Sequence, residues 1–302
     1  MKISRIISII LVIVILVVPE LSVNAASIKT SQLITNNTSF STWLWNTSEI
    51  VNNSDGIISF LAKNNVKVIY LQVDYSLNYT YYKNFISKAS KNKIAVHALD
   101  GSSDWVSSNG TTIQNKFFDW LTNYQKASSV AEKFKGVHLD VEPYSNSEYS
   151  TNPNKIITRY QDFILNSKNN CKKLNLDLGI DIPFWFNEVK YNTSYGSGNL
   201  AEWIFKNIKI VTIMAYRDTA SGSNGISKIA EAEMNLCKKS NVKATIAVET
   251  GNVPETRFIT FFEEGQAYMY SELNSVYLNY RKNSSFNGFA IHYLDSWMNM
   301  KR

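Results

Sequence analysis

The chain has 302 residues, 44% hydrophobic, 13% aromatic and 19% charged, a profile that fits a globular protein with a sizeable core and excludes disordered and fibrous classes. Two Cys, 12 Gly and 5 Pro exclude a disulfide scaffold, a Cys-rich metal module and collagen-like or Pro-rich architecture. A net charge of +6, with Lys and Arg scattered along the chain, gives no basic stripe for nucleic acid, and none is expected as a partner.

Lys2 and Arg5 precede an apolar run from Ile6 to Val18, then Pro19, then Val23-Asn24-Ala25 with small residues suited to cleavage. The run is short of the roughly 20 residues that span a bilayer. Residues 1–25 therefore read as a secretory signal peptide, and residues 26–302 as one exported domain with no membrane span, expected to act as a monomer. Cys171 and Cys237 sit in similar Cys-Lys-Lys contexts, each at a predicted helix end, and no bond between them is expected.

Beyond a polar leader, β-branched or aromatic runs alternate with amphipathic stretches. Strands are predicted at Thr42–Trp45, Val66–Asp74, Ile94–Asp100, Gly136–Pro143, Leu176–Pro183, Ile210–Tyr216, Ala244–Glu249 and Gly288–Tyr293. Helices are predicted between them, at Thr80–Lys91, Thr112–Lys133, Lys155–Lys173, Asn199–Asn207, Ser227–Lys239 and Gln266–Asn283. Eight strands with following helices predict an α/β fold, a single-domain (β/α)8 TIM barrel, whose site stands at the C-terminal ends of the strands. No glycine-rich dinucleotide or phosphate loop supports a doubly wound sheet.

On the fourth strand, Val137, Leu139 and Val141 share one face, and His138, Asp140 and Glu142 share the other. Three ionisable groups aimed into a barrel are costly unless they pair or work. Other strand ends add Asp74, Asp100, Asp181, Tyr216, Glu249 and His292, with Asp100-Gly101 open also to a turn reading. Aromatics crowd the same edge: Trp43, Trp45, Trp105, Tyr144, Phe184, Trp185, Phe186, Tyr293 and Trp297. Aromatic faces stack on sugar rings while carboxylates take hydroxyls, so the edge reads as a glycan cleft. His97, His138 and His292 lie on three strands with no metal-ligand spacing; no cofactor is expected, although a carboxylate-only Ca or Mg site stays open. No Gly-x-Ser-x-Gly elbow is present.

The segment Lys135-Gly136-Val137-His138-Leu139-Asp140-Val141-Glu142 resembles the Asp-x-x-Asp-x-Asp-x-Glu signature of glycoside hydrolase family 18, the chitinase-type barrels. Met214-Ala215-Tyr216 is similar to that family's Met-x-Tyr-Asp segment, and Trp297 to its last-strand Trp. Lys135, His138, Val141 and Arg217 depart from the pattern, and Asp218 stands one place late. The resemblance implies substrate-assisted, retaining hydrolysis of a polysaccharide containing 2-acetamido sugars. Glu142 would then be the proton donor, Asp140 would orient the acetamido group, and Tyr216 would bond its oxygen. His138 would support Asp140. Asp74, Asp100, Trp45, Trp105, Tyr144, Asp181, Trp185, Asp218, His292 and Trp297 would bind substrate. Two other readings stay open: a retaining glycosidase with Glu142 as acid/base and Glu249 as nucleophile, and a carbohydrate-binding barrel without turnover.

Overall fold

A computed structural model describes Ile34 and residues 37–302; the expected leader, residues 1–25, lies outside them. Eight parallel strands close a barrel: β1 (Phe40–Leu44), β2 (Val66–Gln72), β3 (Ala95–Asp100), β4 (Gly136–Leu139), β5 (Asp177–Pro183), β6 (Ile210–Met214), β7 (Lys243–Glu249) and β8 (Phe286–His292). They follow chain order around the ring, and β1 closes it by pairing with both β2 and β8. A helix follows each: α1 (Ser54–Lys63), α2 (Tyr79–Lys91), α3 (Gly110–Lys126), α4 (Pro153–Leu174), α5 (Leu200–Asn207), α6 (Glu231–Ser240), α7 (Gln266–Tyr280) and α8 (Leu294–Met298).

The helices form because one stripe of each is apolar. In α4, Pro153 opens the first turn, Ile156, Ile157, Tyr160, Phe163, Ile164, Ser167 and Cys171 recur at three- and four-residue steps on the buried side, and Asn175 ends it in the left-handed conformation (φ 53°). That stripe packs on the outward residues of the strands, such as Val137, Leu139, Ile180 and Ile182. Residues of the opposite parity, Trp43, Tyr70, Leu99, Ala247 and Ala290, form a second cluster inside the barrel. Two bulky rings against two alanines fill an interior that eight uniform side chains would overfill. Burying Trp43 alone contributes about 5 kcal/mol, at roughly 200 Å² and 25 cal/mol per Å².

Several expectations need correction. The strands expected to reach Asp74 and Pro143 end at Gln72 and Leu139, where the chain leaves the sheet for the mouth loops. The helix expected over Thr112–Lys133 stops at Lys126: the Ser128 hydroxyl donates back to the Tyr124 carbonyl (2.7 Å), and a Ser129–Glu132 capping box starts a separate turn. The helix expected over Ser227–Lys239 divides at Ala230 into Ile226–Ile229 and α6. A short antiparallel hairpin, Lys190–Thr193 with Gly196–Asn199, was not expected, because its residues are polar and lack alternation. Cys171 and Cys237 are both buried and unbonded, on α4 and α6. No helix among the described residues is long and apolar enough to cross a membrane.

Candidate active site

The mouth of the barrel is built around the end of β4. The Asp140 N–H still donates to the Asp100 carbonyl (3.1 Å), so the residue is held in the sheet's register one place past the strand. Gly101 allows this closeness: its φ is +152°, and a Cβ there would lie 2.1 Å from the Asp140 carbonyl oxygen. Asp140 Oδ1 is buried with no hydrogen-bond partner. Burial, then the neighbouring Asp181 and Glu142 charges, push its pKa well above the usual carboxylate range. Two residues on, Glu142 Oε1 accepts from the Tyr144 hydroxyl and Oε2 from Ser145 Oγ (3.2 Å). Tyr144 in turn packs on Trp185 (ring centroids 5.0 Å apart), which continues the wall of the mouth.

Beneath Asp140 lies a fully buried polar group. His138 Nε2 and Asp181 Oδ1 are 2.8 Å apart, and Trp43 Nε1–H donates to the other Asp181 oxygen (3.1 Å). His138 stacks on Tyr70 with centroids 3.6 Å apart and planes 12° from parallel, and the Tyr70 hydroxyl donates to Ser41 Oγ (3.1 Å). Burial pushes the His138 pKa down to about 3 and that of Asp181 well up, which favours the uncharged form of each. His138 thus bonds Asp181 rather than Asp140, the partner expected from the sequence.

Across the mouth, Glu249 ends β7 and is 7% exposed. Its Oε1 accepts the Thr250 and Gly251 N–H groups (2.8 and 2.6 Å), and its Oε2 faces His292 Nδ1 at 2.6 Å. Trp45 Nε1–H, a donor only, points at His292 Nε2 (3.0 Å). That nitrogen must therefore accept, which leaves the imidazole proton on Nδ1, donated to Glu249. Tyr216 stacks on His292 (5.8 Å, 28°). Burial first, then Glu249, Asp181, Asp140 and Glu142, push the Tyr216 pKa far up, so its hydroxyl stays a proton donor among four carboxyl groups.

Asp140, Glu142, Asp181, Tyr216, Glu249, His292, His138 and Trp45 are thus brought together, with Tyr144 and Trp185 on the rim. Others expected at the site are engaged with different partners. Asp74 is exposed and caps its own turn through Ser76 N and Oγ (2.8 and 2.7 Å). Asp100 accepts from Gly101 N (2.8 Å) and the Tyr75 hydroxyl, which is the turn reading of that dipeptide. Trp105 is buried against Phe117 and Phe163 under α3 and α4. Trp297 lies on α8, outside the barrel, against Phe40 and Phe60. Asp218 lies in the loop after β6, with its N–H on the Phe258 carbonyl (3.1 Å). Trp43 was expected only as one of the cleft aromatics, and Tyr70 not at all. Their signal was parity: Trp43 alternates with Trp45 on one strand face, and Tyr70 with Gln72. Among the described residues no group of three His, Cys, Asp or Glu side chains is placed to hold a metal ion.

Fold and mouth define a (β/α)8 barrel with a carboxyl-rich, aromatic-walled site at its C-terminal end. No protein family matches the chain by sequence, and no curated protein does. Solved structures do resemble it. The spore cortex-lytic enzyme SleL of Bacillus megaterium QM B1551 superposes with a TM-score of 0.52 at 13% identity, over 87% of this chain and 73% of that one. A plant class V chitinase mutant from Cycas revoluta, in complex with (GlcNAc)3, gives 0.47 at 11% identity, over 85% and 95%. Catalytic domain 2 of the Ostrinia furnacalis Group II chitinase gives 0.48 at 11%, over 71% of this chain and 64%, less than two thirds, of that one. At these identities the likeness is one of fold.

Proposed function

We propose that the protein is a glycoside hydrolase that cleaves a polysaccharide containing 2-acetamido sugars, with the substrate's own acetamido oxygen as nucleophile. The observation that carries this reading is Asp140: a buried carboxyl with one unpartnered oxygen, near enough to Glu142 and Tyr216 for their charges to interact. Leaving such an oxygen bare costs about 1–3 kcal/mol. A ligand N–H removes that cost, and an acetamido group supplies one.

The bond changes follow. Glu142 gives its proton to the glycosidic oxygen as the C1–O bond breaks; the acetamido oxygen attacks C1 and closes a cationic oxazoline ring. Asp140 accepts from the acetamido N–H and places its carboxyl oxygen against the positive charge that develops there. Tyr216 donates to the acetamido oxygen and orients it. Water then gives a proton to the Glu142 carboxylate and attacks C1, reopening the ring with net retention. The SleL-like fold and the aromatic wall of Tyr144 and Trp185 support a glycan in the mouth. Glu249 is less suited to act as a protein nucleophile, because two backbone N–H groups and His292 already occupy three of its lone-pair directions.

Mass spectrometry of products from chitopentaose tests the proposal. Residues 26–302 should release shorter oligosaccharides, and Glu142→Gln should slow release by about 10²–10⁴-fold while still binding the substrate. Binding by the unaltered protein with no product from any 2-acetamido glycan would favour the turnover-free barrel instead.

A further inference from the structure

Arg217 follows Tyr216 directly and is held on every side but one. Its guanidinium lies between the rings of Phe184 and Phe258, 5.2 and 5.4 Å from their centroids. Nε–H donates to Asn224 Oδ1 (3.0 Å), and an Nη1–H donates to the Tyr216 carbonyl (2.6 Å). A guanidinium has five N–H donors, so three remain. Asp218, its chain neighbour, acts on its charge from nearby, but among the described residues no carboxylate comes within ion-pair distance of the guanidinium. It lines a cavity of about 300 Å³ together with Asp218, Thr219, Ser221, Asn224 and Phe258, and among the described lining residues Arg217 is the one cation. A rigid, unpaired cation at the wall of a polar cavity, beside the site, is an arrangement for an anion.

We propose that Arg217 selects glycans whose 2-acetamido sugars carry a carboxylate, and that the cavity beside Tyr216 receives that substituent. The assignment rests on the hydrolase reading above and names its substrate class. Without it, the cavity wall has no cation to meet an acidic glycan. With it, two parallel N–H groups meet the two carboxylate oxygens, and the aromatic sandwich keeps the fork from swinging to solvent.

Calorimetric titration of the Glu142→Gln protein separates the possibilities. Three ligands are used: chitopentaose; peptide-free glycan strands in which alternate 2-acetamido sugars bear a lactyl-ether carboxylate; and the same strands after carbodiimide amidation, which differ only in charge. The acidic strands should bind about tenfold more tightly than the amidated ones, a ratio that falls with added salt. Adding Arg217→Gln should bring the ratio near one, and Arg217→Lys should leave it in between, since the charge stays but the planar fork is lost. A ratio of one in the parent, a tenfold ratio that survives without Arg217, or binding of chitopentaose alone would overturn the assignment and leave the hydrolase reading intact. If none of the three is bound and none is cut by the unaltered protein, the hydrolase reading fails and this assignment with it.

Discussion

Glu249 ends β7 and Glu142 stands three residues past the end of β4, and their surroundings differ. Glu142 keeps one oxygen at the rim, shared only with Ser145 at 3.2 Å. Glu249 is buried, anchors the turn at Thr250 and Gly251, and fixes the His292 tautomer. On the proposed mechanism it positions the imidazole on which Tyr216 stacks. Glu249→Gln should therefore slow turnover by no more than about tenfold, whereas losing a true nucleophile costs about 10⁴-fold or more. Steady-state kinetics checks this, together with mass spectra after exposure to a 2-deoxy-2-fluoro glycoside, which should show no adduct on Glu249.

The strands place these residues, and glycine decides how closely neighbouring strands carry histidine. His97 is paired with Gly136 in the β3–β4 register, and His138 with Gly179 in the next. A Cβ at Gly136 would stand 2.6–2.8 Å from three atoms of the His97 ring. Gly136→Ala should destabilise the fold by about 1–3 kcal/mol, the usual range for an overpacked core. Adding His97→Ala should recover much of that loss, seen as a return of the urea midpoint. The parity that packs β4 was legible in the sequence, since Val137, Leu139 and Val141 repeat at two-residue steps and continue past the strand's end. The polar hairpin was not, for it has neither apolar alternation nor a core to face.

At the scale of the whole barrel, chain order and eight strands were readable because every strand carries its own buried face. The partners of the site were harder to read: His138 and Asp181 come from adjacent strands, 43 residues apart, and no local pattern announces their pairing. Nor does local pattern tell Trp297, docked outside the barrel, from Trp45, inside its mouth. Buried carboxyls also give the molecule a pH signature. Glu233 on α6 accepts from Asn187 N (3.0 Å), leaves its other oxygen without a partner, and clamps the loop that carries Trp185. Burial, opposed by that bond and reinforced by Glu188, raises its pKa from 4.5 to about 7. The folded state thus binds this proton more tightly than the unfolded chain. Its contribution is fully present below pH 4.5 and is lost as pH rises through about 7. Glu233→Gln should consequently gain about 1–3 kcal/mol over the unaltered protein at pH 8 and almost nothing near pH 4.5, read from urea unfolding at the two pH values.

The central claim is that Asp140 and Tyr216 hold a substrate acetamido group which itself attacks C1. Product time courses from chitopentaose and from its fully de-N-acetylated counterpart, matched in length, test it most directly. The account predicts cleavage of the first and none of the second, with Asp140→Asn sharply impairing what cleavage there is. Equal cleavage of both glycans would contradict it and return the nucleophile's role to the protein.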